Sequence, residues 1–223
     1  MRRKPGALIP IENSILAAAI QLRKQGIEIV DLFQVFAEAR RFGNRTDLYL
    51  TQDSHWSPQG VQLAAKAVAE RILSLGWAKK ETNLYETTQM TVTRYGDVLR
   101  MVRVPQIENL LVPEQIECQQ VTDHATGKAY QDDPSSEILV IGDSFLRIYQ
   151  QDEPGSAGFI AQLACELSTP VTSIVNDGGA STLVRQQLAR RPDLLKGKTI
   201  VLWEFVERDI RFGTEGWQII PLP

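Results

Sequence analysis

The sequence is poor in cysteine and histidine, with two of each among its 223 residues. Cys118 and Cys165 are too few for a disulfide framework or a thiolate metal site, and the sequence leaves open whether they pair. No apolar run approaches the roughly 20 residues that cross a bilayer. The formal net charge of −3 supplies no basic field, so the sequence predicts no nucleic-acid partner.

Short apolar runs alternate with segments of helical periodicity, which is typical of a parallel sheet covered on both faces. The predicted strands are residues 27–30, 138–141, 171–175 and 199–203. The first predicted helix covers residues 11–22, and the second follows Asp31 and runs to about Arg41. The third is capped by Ser57 and runs to about Leu75. The fourth follows the strand of residues 138–141 and runs through Glu166, and the fifth covers residues 181–190. We therefore expect a three-layer α/β/α sandwich with a mostly parallel sheet of about five strands.

Two segments lack this alternation. Residues 79–104 have weak periodicity and many threonines, which predicts a loop with short strands. Residues 116–131 alternate around Ala125-Thr126-Gly127, which predicts a β-hairpin, inserted at about residues 113–133. There are no repeats and no convincing linker, so the expectation is one domain over residues 1–223.

The first candidate for chemistry is Ser144 in the sequence Gly-Asp-Ser-Phe of residues 142–145, directly after a buried strand. Function gathers at the carboxyl ends of strands in parallel α/β sheets, and a serine at such a turn exposes its hydroxyl. Helix backbone N–H groups there can stabilise an oxyanion. Taken alone, Gly-Asp-Ser is a common sequence, and a helix N-cap is the favoured interpretation of Ser144.

The second candidate is the pair Asp53 and His55, in the sequence Asp-Ser-His-Trp-Ser-Pro of residues 53–58. A serine nucleophile needs a proton acceptor, and an aspartate two residues before a histidine can fix the imidazole tautomer. The other histidine, His124, lies on the predicted hairpin turn and is interpreted as a solvated residue. A metal site built from Asp53, His55 and Asp143 is disfavoured, because no second usable histidine or carboxylate cluster accompanies them.

The Asp-x-His-Trp motif and the Gly-Asp-Ser-Phe motif together resemble the alginate O-acetyltransferase group of the SGNH-hydrolase superfamily. The resemblance spans about residues 26–208. Further similar segments are residues 96–99 with Met101, residues 176–179, and residues 203–205 with Arg208.

The resemblance implies an SGNH-hydrolase-like fold with Ser144 as nucleophile, His55 as general base and Asp53 as its orienting carboxylate. It implies an oxyanion hole formed by the backbone N–H of Ser144 and that of Gly179, with the Asn176 side chain as a weaker candidate. It implies no cofactor and no metal. Trp56 could stack on a sugar ring, although packing is the favoured interpretation.

By resemblance, the expected activity is O-acetylation of a polysaccharide through an acyl-serine intermediate. Two alternatives stay open: a carbohydrate or other carboxylic-ester hydrolase with the same three residues, and a non-catalytic polysaccharide-binding or assembly module. The expected partners are a polysaccharide, an acyl donor and other exopolysaccharide-assembly proteins.

The resemblance also implies a periplasmic or otherwise extracytoplasmic location. The basic start at residues 1–4 is followed only by a short apolar stretch, residues 15–20, which predicts an amphipathic helix and not an export signal. A cytoplasmic location is therefore the alternative. Members of the group carry a further N-terminal strand and helix with an anchor or signal, so we expect the N-terminal part of the family domain to be missing from this chain.

Overall fold

The computed structural model describes residues 14–42, 47–80, 82–104, 106, 110, 112–179, 181–211 and 217–222. The chain divides into two compact units, one of residues 1–29 with 206–217 and a larger one of residues 30–205 with 218–223. Among the described residues the helices are α1 (Ser14–Lys24), α2 (Leu32–Phe42), α3 (Pro58–Ser74), α4 (Asp97–Val102), α5 (Ser144–Arg147), α6 (Phe159–Leu167), α7 (Leu183–Ala189) and α8 (Glu207–Arg211). The strands are β1 (Tyr85–Arg94), β2 (Glu114–Asp123), β3 (Ile138–Gly142), β4 (Thr172–Val175) and β5 (Ile200–Trp203).

The smaller unit contains α1 and α8, which pack against each other. After α1 the chain passes through Gly26 with φ +79°, a left-handed conformation that glycine adopts without steric cost. The predicted helix of residues 11–22 is therefore confirmed from Ser14 onward, and its first residues lie outside the described part.

A three-stranded parallel sheet in the order β4–β3–β5 forms the centre of the larger unit. Every residue of β3 is buried, as expected for a strand covered on both faces. One face of the sheet belongs to a buried core cluster that comprises Leu139, Ile141, Ile174, Val184, Leu188 and Leu194. The three strands run in one direction, so the residues that follow them meet at one edge. Asn176 N donates to the Gly142 carbonyl at 3.0 Å, and Glu204 N donates to that of Ile141 at 2.8 Å.

The prediction of about five mostly parallel strands is met only in part, because the described residues form two sheets. The second sheet is the antiparallel pair of β1 and β2, in register from Tyr85 opposite Asp123 to Arg94 opposite Glu114. Residues 27–30, predicted as a strand, form none. An apolar segment forms a β-strand only where a neighbouring strand provides partners for its backbone hydrogen bonds. Residues 27–30 pair with no strand among the described residues.

The segment predicted as a loop with short strands contains the ten-residue strand β1, so that prediction is wrong for residues 85–94. Within β1 only Val92 is buried, and a strand with no apolar face carries no alternation to detect. The chain also turns back after β2, where Thr122 bridges Ala129 and Tyr130 N donates to the Val121 carbonyl. The long ladder of β2, however, is with β1.

Helix α3 begins and ends where the sequence predicts. Ser57 is its N-cap and accepts a hydrogen bond from Gly60 N at 3.1 Å, and Pro58 occupies the first helical position. Gly60 lies so close to the preceding segment that an added Cβ would be 2.4 Å from the Leu48 carbonyl oxygen. This contact fixes the loop before α3, which carries Asp53 and His55.

The prediction of one helix between the strand of residues 138–141 and Glu166 is wrong in its length. It is divided into α5, a single turn, and α6. Between them Tyr149 and Ser156 have φ of 59° and 51°, and left-handed residues end a right-handed helix. The two ends of the irregular segment between α5 and α6 lie in contact, since a Cβ added to Gly158 would be 2.6 Å from the Ile148 carbonyl oxygen.

Both cysteines are free thiols. Burial raises the pKa of Cys118 to about 12, so its thiol stays protonated and unreactive at neutral pH. None of the described helices combines the length and apolarity that a bilayer crossing requires.

Candidate active site

Ser144 is the first residue of α5, immediately after the buried strand β3. The Asp143 carboxylate caps this turn by accepting from Phe145 N at 2.8 Å, and the Glu204 carboxylate accepts from Asp143 N at 3.1 Å. Gly142 gives room for this approach, since an added Cβ would be 2.5 Å from Glu204 Oε2 and the Glu204 side chain would have to shift. The turn therefore holds the hydroxyl of Ser144 at the sheet edge, with only 9% of the residue exposed.

His55 reaches Ser144 from the loop before α3. That loop is pinned by hydrogen bonds from Leu50 N to the His55 carbonyl at 3.2 Å and from Ser57 N to the Leu48 carbonyl at 2.9 Å. Trp56 fixes the loop to the turn that carries Ser144 by donating its indole N–H to the Phe145 carbonyl at 3.1 Å. The two predicted motifs, 89 positions apart at His55 and Ser144, are thereby joined.

Asp53, His55 and Ser144 form a continuous hydrogen-bonded series. His55 Nδ1 lies 2.6 Å from Asp53 Oδ1, and His55 Nε2 lies 2.8 Å from Ser144 Oγ. The network assigns the proton to Nδ1, facing the carboxylate, which leaves Nε2 to accept from the serine hydroxyl. This is the arrangement in which an imidazole can remove a proton from serine.

The side chain of Asp53 is fully buried, yet it is held as a carboxylate. Burial alone would raise the pKa of Asp53. The hydrogen bonds from the His55 ring and backbone N–H, together with the positive charge of Arg94, outweigh burial and hold that pKa far below its ordinary value. Arg94 Nη2 donates to Asp53 Oδ2 at 3.0 Å.

Arg94 and Asp97 belong to the site, although the sequence analysis gave neither a role there. Arg94 ends β1, and its guanidinium also lies 5.8 Å from the centroid of the Tyr149 ring. Asp97 begins α4 and donates its N–H to Asp53 Oδ2 at 3.2 Å. Asp97 lies in one of the segments that resemble the acetyltransferase group, so a signal existed for it. Arg94 lies on a strand that the sequence did not reveal.

Gly96 allows the segment between Arg94 and Asp97 to lie directly on the backbone of the loop that carries Asp53 and His55. A Cβ added to Gly96 would be 1.8 Å from the Gln52 carbonyl oxygen and 2.7 Å from Asp53 N. Its φ of −71° is ordinary, so the requirement for glycine here is one of space and not of backbone conformation.

We expect Gly96→Ala to lower the free energy of unfolding by about 3 kcal/mol, because backbone atoms must move to admit the methyl group. Urea denaturation measures this change. Gly76→Ala is the matched control: Gly76 has φ +69° and open space around it, so alanine there costs about 1 kcal/mol of left-handed strain. Equal losses in the two variants would contradict the close approach at Gly96.

Of the three candidate oxyanion donors, the structure leaves Ser144 and Asn176 available. Among the described residues, none accepts a hydrogen bond from the Ser144 N–H or from the side-chain amide of Asn176. Gly179 N already donates to the Asn176 carbonyl at 3.0 Å, in a turn in which Gly178 has φ +65°. Gly179 could serve only if this bond were exchanged.

Asp53, His55 and Asp97 could also be considered as metal ligands, since each offers an atom and these atoms lie within 4.8 Å of one another. Both oxygens of Asp53 already accept hydrogen bonds, one of them from the cationic Arg94, and both oxygens of Asp97 accept from Ser54. A cation there would lose these bonds and face a guanidinium. The donor set is therefore better suited to acid–base chemistry.

The structure agrees with the sequence-based interpretation of Trp56 as a packing residue and of His124 as a solvated one. Trp56 is buried and stacks on Phe159 with ring centroids 5.7 Å apart, so it packs and is not available to a sugar. The side chain of His124 is 66% exposed, lies on the turn after β2, and contacts Glu86 at 3.4 Å.

The profile of the family described as "SGNH hydrolase-like domain, acetyltransferase AlgX" matches residues 6–207. Two curated relatives are both named "Probable alginate O-acetylase AlgJ". The one from Azotobacter vinelandii is 26% identical over 82% of this chain and 47% of its own length. The one from Pseudomonas fluorescens is 25% identical over 83% of this chain and 46% of its own length. This chain thus spans about half the length of the curated relatives it matches.

Two solved structures share the fold. The O-acetyltransferase domain of Pseudomonas putida AlgJ aligns with a TM-score of 0.71 at 20% identity, over 94% of this chain and 69% of that one. Pseudomonas aeruginosa AlgX aligns with a TM-score of 0.58 at 16% identity, over 86% of this chain and 42% of that one. The fold is therefore SGNH-hydrolase-like. Since the family profile covers most of the sequence, this chain belongs to the SGNH hydrolase-like domain family of the acetyltransferase AlgX.

Proposed function

We propose that this protein is a serine-dependent O-acetyltransferase that moves an acetyl group from an ester donor to a hydroxyl of a polysaccharide. The observation that carries the proposal is the hydrogen-bonded series of Asp53, His55 and Ser144, with separations of 2.6 and 2.8 Å. The names of the relatives supply the transferred group and the class of acceptor. The family relationship supports a location outside the cytoplasm.

In the first half of the proposed reaction, His55 Nε2 takes the hydroxyl proton of Ser144 as Oγ attacks the carbonyl carbon of the donor ester. The carbonyl π electrons move to oxygen, which gives a tetrahedral oxyanion. The oxyanion then collapses, the bond to the donor oxygen breaks, and the leaving alkoxide receives the proton from His55. The products are an acetyl-serine at Ser144 and the free donor alcohol.

The second half repeats these steps with the acceptor. A sugar hydroxyl gives its proton to His55 and attacks the acetyl-serine carbonyl, and the collapse of that oxyanion returns Ser144 Oγ as the leaving group. His55 then returns the proton to Ser144. Asp53 stays ionised throughout and stabilises the imidazolium that forms twice in each cycle.

The proposed oxyanion donors are the backbone N–H of Ser144 and the side-chain amide of Asn176. Asn176 follows β4, and its own N–H binds the Gly142 carbonyl at 3.0 Å, so it lies beside the nucleophile turn. Gly179 ranks below Asn176 because its N–H is already donated within the turn. Helix α5 is only one turn long, so individual N–H groups matter more here than a helix dipole.

Hydrolysis is the competing activity, since water can replace the sugar hydroxyl in the second half without any change of residues. The two activities differ only in how well the site excludes water once Ser144 is acetylated. A non-catalytic binding module remains the third candidate, and it requires neither ionised Asp53 nor contact between His55 and Ser144.

The test is to supply a chromogenic acetyl ester together with oligosaccharides of alginate, and to measure acetylated sugar by mass spectrometry and free acetate in parallel. We expect acetylated sugar from the wild-type protein. Free acetate alone would identify a hydrolase. Neither product, with retention of the oligosaccharide on immobilised protein, would identify a binding module and overturn the proposal.

A further inference from the structure

Asp97 contacts all three residues of the segment 53–55. Its N–H donates to Asp53 Oδ2 at 3.2 Å. Its Oδ1 accepts from Ser54 N at 2.7 Å and its Oδ2 from Ser54 Oγ at 2.6 Å. The same Oδ2 lies 3.7 Å from His55 Nδ1. Two carboxylates, those of Asp53 and Asp97, therefore face the same ring nitrogen.

These contacts constrain the orientation of each member of the acid–base pair. With Oδ2 of Asp53 bound to the Asp97 N–H and to Arg94, the remaining oxygen of Asp53 is turned toward His55. The bonds to Ser54 hold the single residue that separates Asp53 from His55. The negative charge of Asp97 favours an Nδ1–H on the side of the ring away from Ser144.

We propose that Asp97 is a positioning residue for the Asp53–His55 pair. It fixes the carboxylate of Asp53 through its N–H and holds the His55 ring with Nδ1–H toward the carboxylates and Nε2 toward Ser144. It also supplies a second negative charge beside the imidazolium that forms during acyl transfer. The expected effect of Asp97 on the reaction rate rests on the proposed function. Its expected effect on the orientation of the His55 ring rests on the geometry alone.

The chain offers a closely matched control in Glu114. Its carboxylate accepts from Thr51 N at 3.0 Å, from Thr51 Oγ1 at 2.6 Å and from Gln52 N at 3.0 Å. It therefore holds the same loop two residues earlier by the same kinds of bond, and it makes no hydrogen bond or ion pair with Asp53 or His55. Glu114→Gln and Asp97→Asn each replace a carboxylate by an amide of the same shape.

Two measurements compare these variants. The first is the rate of hydrolysis of a small activated acetyl ester. The second is the proton spectrum of protein labelled with ¹⁵N-histidine, in which the His55 Nδ1–H bonded to Asp53 gives a downfield signal. The chain has only two histidines, and a His124→Gln variant assigns the signals.

We expect Asp97→Asn to lower the hydrolysis rate about 10- to 100-fold, as displacement of a catalytic group by about 1 Å does, and to shift or broaden the His55 signal. Glu114→Gln should keep the rate within about twofold and leave the signal in place. If Asp97→Asn does not fold, Ser54→Ala removes one bond to Asp97, and a smaller rate loss with a shift of the same signal is expected.

Equal rates and unchanged His55 signals in Asp97→Asn and Glu114→Gln would overturn the inference, since Asp97 would then act only as a structural link in the loop. A wild-type protein without activity would instead count against the proposed function. The spectra would still decide the positioning role in that case, because the His55 signal does not depend on turnover.

Discussion

Replacing Ser144 by alanine is expected to reduce hydrolysis of a small activated acetyl ester at least about 10⁴-fold, to the level of the buffer. The reason is that the proposed covalent step uses the Ser144 hydroxyl, and alanine has no group that can attack the ester. His55 Nε2 lies 2.8 Å from Ser144 Oγ, and the thiol of Cys118, whose pKa is raised to about 12, cannot substitute. The rate of release of the chromogenic alcohol measures this loss directly.

A second variant and a control make that result specific. His55→Ala should lose about as much activity as Ser144→Ala, and the double variant should lose little more, because the two residues act as one unit. Ser74→Ala is the control: Ser74 is exposed near the end of α3, and the Arg71 carbonyl is the one partner of its hydroxyl among the described residues. If Ser144→Ala keeps activity above that of the buffer, and its thermal denaturation shows that it is folded, the acyl-serine mechanism is excluded.

The sequence predicts some elements of this fold because their cause is local. The N-cap Ser57 and the first-turn Pro58 of helix α3 are next to each other in the chain. The six residues 53–58 are therefore enough to predict where the helix begins. The strand β3 is apolar throughout because both of its faces are covered. Asp53, His55 and Ser144 could be selected because the chemistry of a serine nucleophile limits the residue types that can accompany it.

The features that the sequence could not predict depend on contacts between distant segments. Strand β1 is defined by its ladder with β2 and not by a buried face, since only Val92 in it is buried. As a result Arg94 was not expected near Asp53, although the two side chains are 3.0 Å apart. The end of α5 after one turn depends likewise on its surroundings, since Ile148 leaves the helical conformation with ψ of 133° and Tyr149 then adopts a left-handed one.

Asp53→Asn is expected to reduce ester hydrolysis about 10⁴-fold, although asparagine has nearly the shape of aspartate. In the wild-type protein, the ionised Asp53 accepts from His55 Nδ1–H at 2.6 Å and leaves Nε2 free to accept from Ser144. The side-chain amide of asparagine can instead donate to Nδ1, because Arg94 Nη2 and the Asp97 N–H already require the acceptor oxygen. The ring proton then moves to Nε2, which can no longer take a proton from Ser144.

This mechanism makes Asp53→Asn at least as damaging as Asp53→Ala, since alanine leaves His55 free to choose its tautomer, whereas asparagine selects the wrong one. Nitrogen chemical shifts of ¹⁵N-histidine-labelled protein report the tautomer, and we expect the proton of His55 on Nε2 in Asp53→Asn. Asp123→Asn is a suitable control, because the Asp123 carboxylate accepts from Thr126 on an exposed turn and makes no hydrogen bond or ion pair with Asp53, His55 or Ser144. Activity of Asp53→Asn within about tenfold of wild type, with the proton of His55 still on Nδ1, would show that Asp53 does not set the orientation of the base. In that event Asp97, 3.7 Å from the same nitrogen, would be the carboxylate to replace next.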